Sequence, residues 1–326
     1  MKTRSRSFLP RTLLVSLAVL AAVGGTAQAQ DSYPSRTVTI IVPFTAGSQP
    51  DILARALAEQ MAKAMGQAVV VTNRDGAAGV IGVDAVARSK PDGYTLGFGP
   101  QGQFTIQPAV RKDLKYKITD FQFICQTNSS QLVVATSAKS PYNTLTELLD
   151  AARKSPGKIT FASPGQSTGP HLAAESIALE AGVKLLHVPF RSVGEMQTQI
   201  LSGTVDFFVT SPAFVTTRKD TRGLAAVANQ RIAGLPNLST LKEQGFKRST
   251  LEGFIGLFAP HDIPEAATAA LRKACPGAVA SEPFKQAAEK MLTPAHYADA
   301  PAYTATIMQD QKTMGDLVKA LGIRPE

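Results

Sequence analysis

Two stretches of this chain gather backbone donors where an anion could sit. In the first, an apolar run at residues 38–44 passes through Thr45-Ala46-Gly47-Ser48-Gln49-Pro50 into a helical pattern over 51–65. In the second, residues 158–162 pass through Ser163-Pro164-Gly165-Gln166-Ser167-Thr168-Gly169-Pro170 into a helical pattern over 171–181. Both read as a strand, a Gly/Ser/Thr loop and a helix. A helix start carries N–H groups without intrahelical acceptors and the positive end of the helix dipole, so each loop is a seat for a carboxylate or similar anion. Two such seats suggest a small anion gripped between two lobes.

The second loop admits other chemistry. Gly165-Gln166-Ser167-Thr168-Gly169 spells G-x-S-x-G between a strand and a helix, the setting of a hydrolase nucleophile. Asp206 followed by His261 or His296 would supply the acid and base in the matching chain order. A plain turn capping a helix is the third reading. The anion seat is preferred because both halves of the chain carry one. The four histidines, His171, His187, His261 and His296, fit no metal-ligand spacing, so neither metal nor cofactor is expected. His171 opens a helix and is placed to brace the second loop, whereas His187 sits in an apolar strand and reads as a core residue. Arg191 suits a bidentate carboxylate contact, with a surface arginine as the alternative. Arg55 and Arg74 read as solvated. Asp51 is a first-turn acid favoured by the dipole; it would repel an anion unless it faces away or holds the loop.

The elements that position these loops alternate between strand and helix, which argues for parallel-rich sheets covered by helices. Strands are expected at 68–71, 94–98, 121–135 with a break near 128–130, 184–188, 204–210 and 224–228. Helices are expected at 77–88, 144–154, 192–202, 263–275, 282–292 and 301–321. Chain crossings near 128–130 and 247–249 give a discontinuous first lobe, 30–127 with 248–326, and a second lobe, 128–247. Cys125 and Cys275 are the only cysteines. They either pair in an oxidising compartment or stay as two buried thiols, and sequence alone does not set their separation.

Residues 1–11 carry Lys2, Arg4, Arg6 and Arg11 with no acid, residues 12–25 are apolar, and Ala27-Gln28-Ala29 has the form of a cleavage site. A secretory leader over 1–29 is therefore expected, with a periplasmic mature chain starting at Gln30. Its removal lowers the formal charge from +9 to +5. The remaining basic residues are scattered and form no stripe with aromatics, so nucleic acid is excluded as a partner. The 326 residues suffice for two domains.

Phe44-Thr45-Ala46-Gly47 with Asp51-Ile52-Leu53-Ala54-Arg55 resembles the first-loop signature of the Bug family, the receptors of tripartite tricarboxylate transporters. Pro91-Asp92-Gly93-Tyr94-Thr95-Leu96, Ser155-Pro156-Gly157-Lys158, His171-Leu172-Ala173-Ala174-Glu175 after Ser163-Pro164-Gly165, His187-Val188-Pro189-Phe190 and Phe254-Ile255-Gly256-Leu257-Phe258-Ala259-Pro260 are similar to further family motifs, in order. The resemblance implies a two-lobed α/β periplasmic binding fold of type II, each lobe a mixed, mainly parallel sheet flanked by helices. It also implies a small organic carboxylate ligand, integral-membrane transporter subunits as partners, a monomer, and no enzyme activity. Carried over, the site comprises Phe44, Ala46, Gly47, Ser48, Gln49 and Asp51 in the first loop and Ser163, Gly165, Gln166, Ser167 and Thr168 in the second. Gln101, Phe190, Arg191, Thr210 and Ser211 complete it. Thr210 stands where many members carry Asp, which argues against an amino-acid ligand. A serine hydrolase using Ser167, and a sensor not coupled to transport, are the alternatives.

Overall fold

The computed structural model describes Met1 and residues 33–190, 193–228, 230–247, 251–323 and Pro325. Residues 2–29 of the expected leader and residues 248–249 of the second crossing fall outside the described residues. In chain order the elements are β1 (Val38–Val42), α1 (Gln49–Met65), β2 (Val69–Asn73), α2 (Val80–Ala87), β3 (Thr95–Pro100), α3 (Gly102–Thr105), α4 (Gln107–Val110) and β4 (Phe121–Ser130). Next come β5 (Leu132–Ser137), α5 (Leu145–Lys154), β6 (Thr160–Ser163), α6 (Gly169–Ala181), β7 (Leu186–Pro189), α7 (Val193–Ser202), β8 (Phe207–Thr210), α8 (Ala213–Thr216) and β9 (Thr221–Val227). The chain closes with β10 (Gly253–Pro260), α9 (Glu265–Ala280), α10 (Glu282–Lys290), β11 (Ala295–Ala298) and α11 (Ala300–Ala320).

Two mixed sheets result, ordered β11-β4-β10-β3-β1-β2 and β7-β6-β8-β5-β9. They share a local plan. β1 runs parallel to β2 on one side and β3 on the other, and β6 runs parallel to β7 and β8 in the same way. The chain therefore leaves each central strand toward one neighbour and later crosses to the other. Crevices at the carboxyl ends of such strands are where ligands bind in open α/β sheets. The two Gly/Ser loops are the segments that follow β1 and β6.

Burial explains the elements. β1 is almost wholly buried, as a central parallel strand covered on both faces must be. α1 turns Leu53, Ala54, Leu57, Ala58 and Met61 toward the first sheet at helical spacing and stops at Gly66, whose φ of 70° suits a glycine. α9 runs through Pro276 to Ala280, past its expected end at 275. Ala274 and Cys275 before the proline and Ala278 and Val279 after it are all buried, so tertiary packing overrides the local breaker. Cys275 is disulfide-bonded to Cys125 of β4, with Cα atoms 6.7 Å apart.

Two further expectations need correction. The break in the 121–135 run falls at Gln131, where the chain passes from the first sheet to the second. The helix expected from residue 77 starts at Val80, because Ala77 and Ala78 have φ of 48° and 55° and cannot continue a right-handed helix. The short elements α3, α4, α8 and β11 are additional.

Candidate functional site

The two loops differ from the starts of α5, α10 and α11 in how their donors are used. Thr144, Ser281 and Asp299 cap α5, α10 and α11 by accepting the N–H of Glu147, Phe284 and Ala302. Ser48 and Thr168 hold the same N-cap position on α1 and α6, yet neither side chain caps its helix. Thr168 Oγ1 instead donates to the Gly165 carbonyl at 2.8 Å. Ser48 Oγ is buried without a partner. Both helix starts thus keep N–H groups that the chain does not satisfy with its own capping hydroxyl.

The first loop is locked from behind. Asp51 Oδ2 accepts the Gly47 N–H at 2.9 Å and Arg55 Nε at 3.1 Å. Its Oδ1 accepts Arg55 Nη2 and Asn73 Nδ2, both at 2.9 Å. Asn73 Nδ2 also reaches the Phe44 carbonyl at 3.0 Å, closing the network around the turn. Burial pushes the Asp51 carboxyl up, but hydrogen bonds from Arg55, the Gly47 N–H and Asn73 outweigh it and hold it below its usual range. Asp51 thus holds the loop, the second of its two expected roles, and Arg55 is engaged rather than merely solvated. Gln49 Nε2 donates to Thr293 Oγ1 and lies 3.5 Å from the Met291 carbonyl, which Ser211 Oγ approaches to 3.4 Å from the end of β8.

The second loop is braced by histidines. Ser163 Oγ donates to the Gly165 carbonyl at 2.8 Å and stands 2.7 Å from His187 Nε2. The Ser167 N–H donates to His171 Nδ1 at 3.1 Å, and the Ser167 carbonyl accepts Gln107 Nε2 at 3.2 Å. Ser167 has φ of 57°, a left-handed conformation that a non-glycine residue adopts only when held there. His187 is therefore a partner of the loop as well as a half-buried strand residue.

A cleft of about 430 Å³ joins Pro164, Gly165, Gln166 and Ser167 to Ala77, Ala78, Gln107, Val110, Arg111, Asp113 and Ile323. It brings the loop after β6 to residues that follow β2 and β3. The first-loop residues Phe44, Ala46, Gly47, Ser48, Gln49 and Asp51 do not line this space. Nor does Gln101, whose Oε1 accepts the Phe254 N–H at 2.9 Å. Thr210 is buried at the carboxyl end of β8, and the Phe190 N–H bonds the Ser163 carbonyl at 3.0 Å. Arg191 lies outside the described residues. The sequence reading missed Ala77, Ala78, Gln107 and Arg111. The Gly76-Ala77-Ala78-Gly79 run was a usable signal for the first two, since flanking glycines permit the left-handed turn that presents them. Arg111 is paired to Asp113 through two bonds of 2.9 and 3.0 Å, so this cation sits at the cleft already partly neutralised.

The residues of a serine triad do not converge. Asp206 is committed to the Thr160 N–H and hydroxyl at the amino end of β6, whereas Ser167 follows its carboxyl end. His261 follows β10 in the other sheet and is exposed, and His296 lies on β11. His171, beside Ser167, accepts its backbone N–H.

Two helix-covered mixed sheets, with a strand-to-helix loop of one facing residues of the other across a cleft, define a two-lobed α/β binding protein of the periplasmic kind. The chain matches the model of the tripartite tricarboxylate transporter family receptor over residues 53–323 and belongs to that family. It is 30% identical over 255 residues to the protein BugT of Bordetella pertussis, covering 76% of this chain and 78% of BugT. The structure of the periplasmic binding protein BugD superposes with a TM-score of 0.81 at 28% identity, covering 90% of this chain and all of that one. MatC of Rhodopseudomonas palustris, solved with bound malate, shares the fold with a TM-score of 0.79 at 24% identity, covering 88% of this chain and all of MatC.

Proposed function

We propose that this chain is an exported receptor that captures one small organic carboxylate between two lobes and delivers it to the membrane subunits of a tripartite tricarboxylate-type transporter. The lobes in this reading are 30–127 with 248–326, and 128–247, with residues 128–130 moved to the first lobe because β4 pairs with β10 as far as Ser130. The observation that carries it is the pair of uncapped helix starts. At α5, α10 and α11 a hydroxyl or carboxylate at the N-cap bonds the helix start, and α2 and α9 begin after Gly79 and Pro264, which have no side chain that could cap. At α1 and α6, Ser48 and Thr168 stand in place and do not cap. N–H groups left in this way suit a carboxylate, which accepts several donors at once and gains from the helix dipole. The Gly/Ser composition of both loops keeps side chains from crowding the anion. The family supports a receptor role rather than catalysis, and the reading requires no metal or cofactor.

Native mass spectrometry of protein purified from periplasm identifies any acid retained. Calorimetric titration of that acid, or of a panel of aliphatic and aromatic mono- and dicarboxylates, against the corresponding methyl esters then tests the seats. The expected result is binding of at least one acid and a large loss with its fully esterified form. Equal affinity for acid and ester would defeat the anion-seat reading. An intact mass retaining residues 1–29 would defeat the export reading.

A further inference from the structure

Two histidines stand directly behind the second loop. His171, in the first turn of α6, is 6% exposed, and His187 lies half-buried on β7. Their ring centroids are 4.1 Å apart, and both stack on Phe161 of β6, at 6.0 and 4.8 Å. The hydrogen bonds assign their protons. His171 Nδ1 accepts the Ser167 N–H, so that nitrogen is bare and a neutral ring carries its proton on Nε2. The Gly165 carbonyl can only accept, so it takes the single Ser163 hydroxyl proton, and His187 Nε2 must donate to Ser163 Oγ.

We propose that His171 is a positioning residue for the second loop, and that the loop keeps its anion-binding shape only while the His171–His187 pair is uncharged. The functional consequence rests on the receptor reading; the geometry does not. A proton on His171 Nδ1 would face the Ser167 N–H across 3.1 Å, turning a hydrogen bond into a donor–donor contact. Ser167 would then lose the support that holds its left-handed turn, and its carbonyl its alignment with Gln107. A charge on either ring also stands about 4 Å from the other ring.

The surroundings keep the pair neutral. Burial first, then the nearby His187, lowers His171 to about 4. Burial lowers His187 to about 4 as well. The acid facing the pair is Glu175, whose Oε1 lies 3.8 Å from His171 Nε2. Burial pushes that carboxyl above its ordinary 4.5, which weakens it as a counter-ion for a charged ring. From β6 the pair faces the uncharged ring of Phe161. The loop is therefore locked at neutral pH and released as pH falls through about 4.

The test needs no ligand. Protein labelled with 15N in the backbone and in histidine rings is followed by NMR from pH 7 to pH 3.5, with Ile40 and Leu96 amides in the first sheet as controls. At pH 7 both rings should be neutral, His171 with Nδ1 bare and His187 with Nε2 protonated. The Gly165, Ser167 and Thr168 amides should move with the ring midpoint while the controls stay put. His171→Asn places an amide oxygen where Nδ1 was and cannot titrate; it should keep the wild-type Ser167 amide shift at pH 7. His171→Ala should displace it. His187→Gln should raise the His171 midpoint by removing its neighbour. A Ser167 amide unmoved as the rings charge, or His171→Asn no different from His171→Ala, would overturn the proposal. A chain that binds no acid at pH 7 would instead sink the receptor reading and leave these shifts in place.

Discussion

Asp51 accepts the Gly47 N–H at 2.9 Å, so the acid of the first helical turn points back into its own loop. An acid facing outward at this place would repel the anion that the helix start attracts. Turned inward and paired by Arg55 through two nitrogens, it lends the loop rigidity while its charge is offset by the guanidinium.

Asp51→Ala should therefore destabilise the protein as well as loosen the loop. It removes hydrogen bonds from Gly47 and Asn73 as well as those from Arg55, which is half-exposed and regains water. Losing bonds to a buried charged group costs about 2–3 kcal/mol. Urea unfolding of wild type and variant measures this. A difference inside about 0.5 kcal/mol, the range of an unremarkable surface substitution, would show that the carboxylate does not hold the turn.

The histidine pair predicts a pH dependence of stability with a definite sign. Both rings have folded values near 4, lowered from 6.5, so the unfolded chain binds protons in a range where the native chain does not. Stability is full above pH 6.5 and falls as pH drops from there toward 4. Between pH 7 and about 5.5 carboxylates with ordinary values near 4 contribute little, while Glu175 and Asp310, which burial raises, act with the opposite sign, so the histidine effect is read as a difference between two proteins. Thermal melts should show Tm falling across that window in wild type and a shallower fall in a His171→Asn/His187→Gln double variant. Parallel slopes would rule out the pair as the source.

Cys125 and Cys275 join a strand to a helix across 150 residues of chain. A cross-link that closes so long a loop restricts the unfolded chain and typically stabilises the fold by about 2–4 kcal/mol. Replacing both cysteines by Ala should lower the urea midpoint accordingly. Denatured, unreduced wild type should show no free thiol, and two free thiols would mean the bond does not form.

The alternation of strands and helices was readable because buried parallel strands are short apolar runs and their helices carry a 3.6-residue apolar stripe. Both Gly/Ser loops were readable for the same reason, since they interrupt that alternation at its most polar points. The parts of the site contributed by α4 and by the turn before α2 were not. Gln107 is a polar residue in a four-residue helix, and nothing in its neighbourhood marks it as reaching Ser167 from another part of the chain. Arg111 and Asp113 look like one more surface pair until the fold sets them beside Gly165. His187 was readable as a strand residue, but its bond to Ser163 depends on the register of β6 against β7, which places Ser163 beside Pro189 and Phe161 beside His187. Contacts between segments far apart in sequence are set by topology, and local pattern carries little of that.

Ser167 separates the competing readings of the second loop. It lines the cleft and is 8% exposed, and among the described residues its hydroxyl has no hydrogen-bond partner, whereas its N–H and carbonyl are both engaged. A free hydroxyl beside an anion seat is placed to donate to a carboxylate oxygen. Ser167→Ala should leave the fold intact, since it keeps the backbone bonds to His171 and Gln107. Loss of one hydrogen bond to a charged group costs about 1.5–3 kcal/mol, which weakens affinity by roughly one to two orders of magnitude. A plain turn residue would leave affinity unchanged. A nucleophile would give the wild type ester turnover that the variant lacks. Calorimetry with the retained acid and an ester-cleavage assay, each on both proteins, distinguish the three outcomes. Turnover abolished by the substitution would overturn the receptor assignment. Unchanged affinity would remove the Ser167 hydroxyl from the seat and leave the backbone donors of α6 to hold the anion alone.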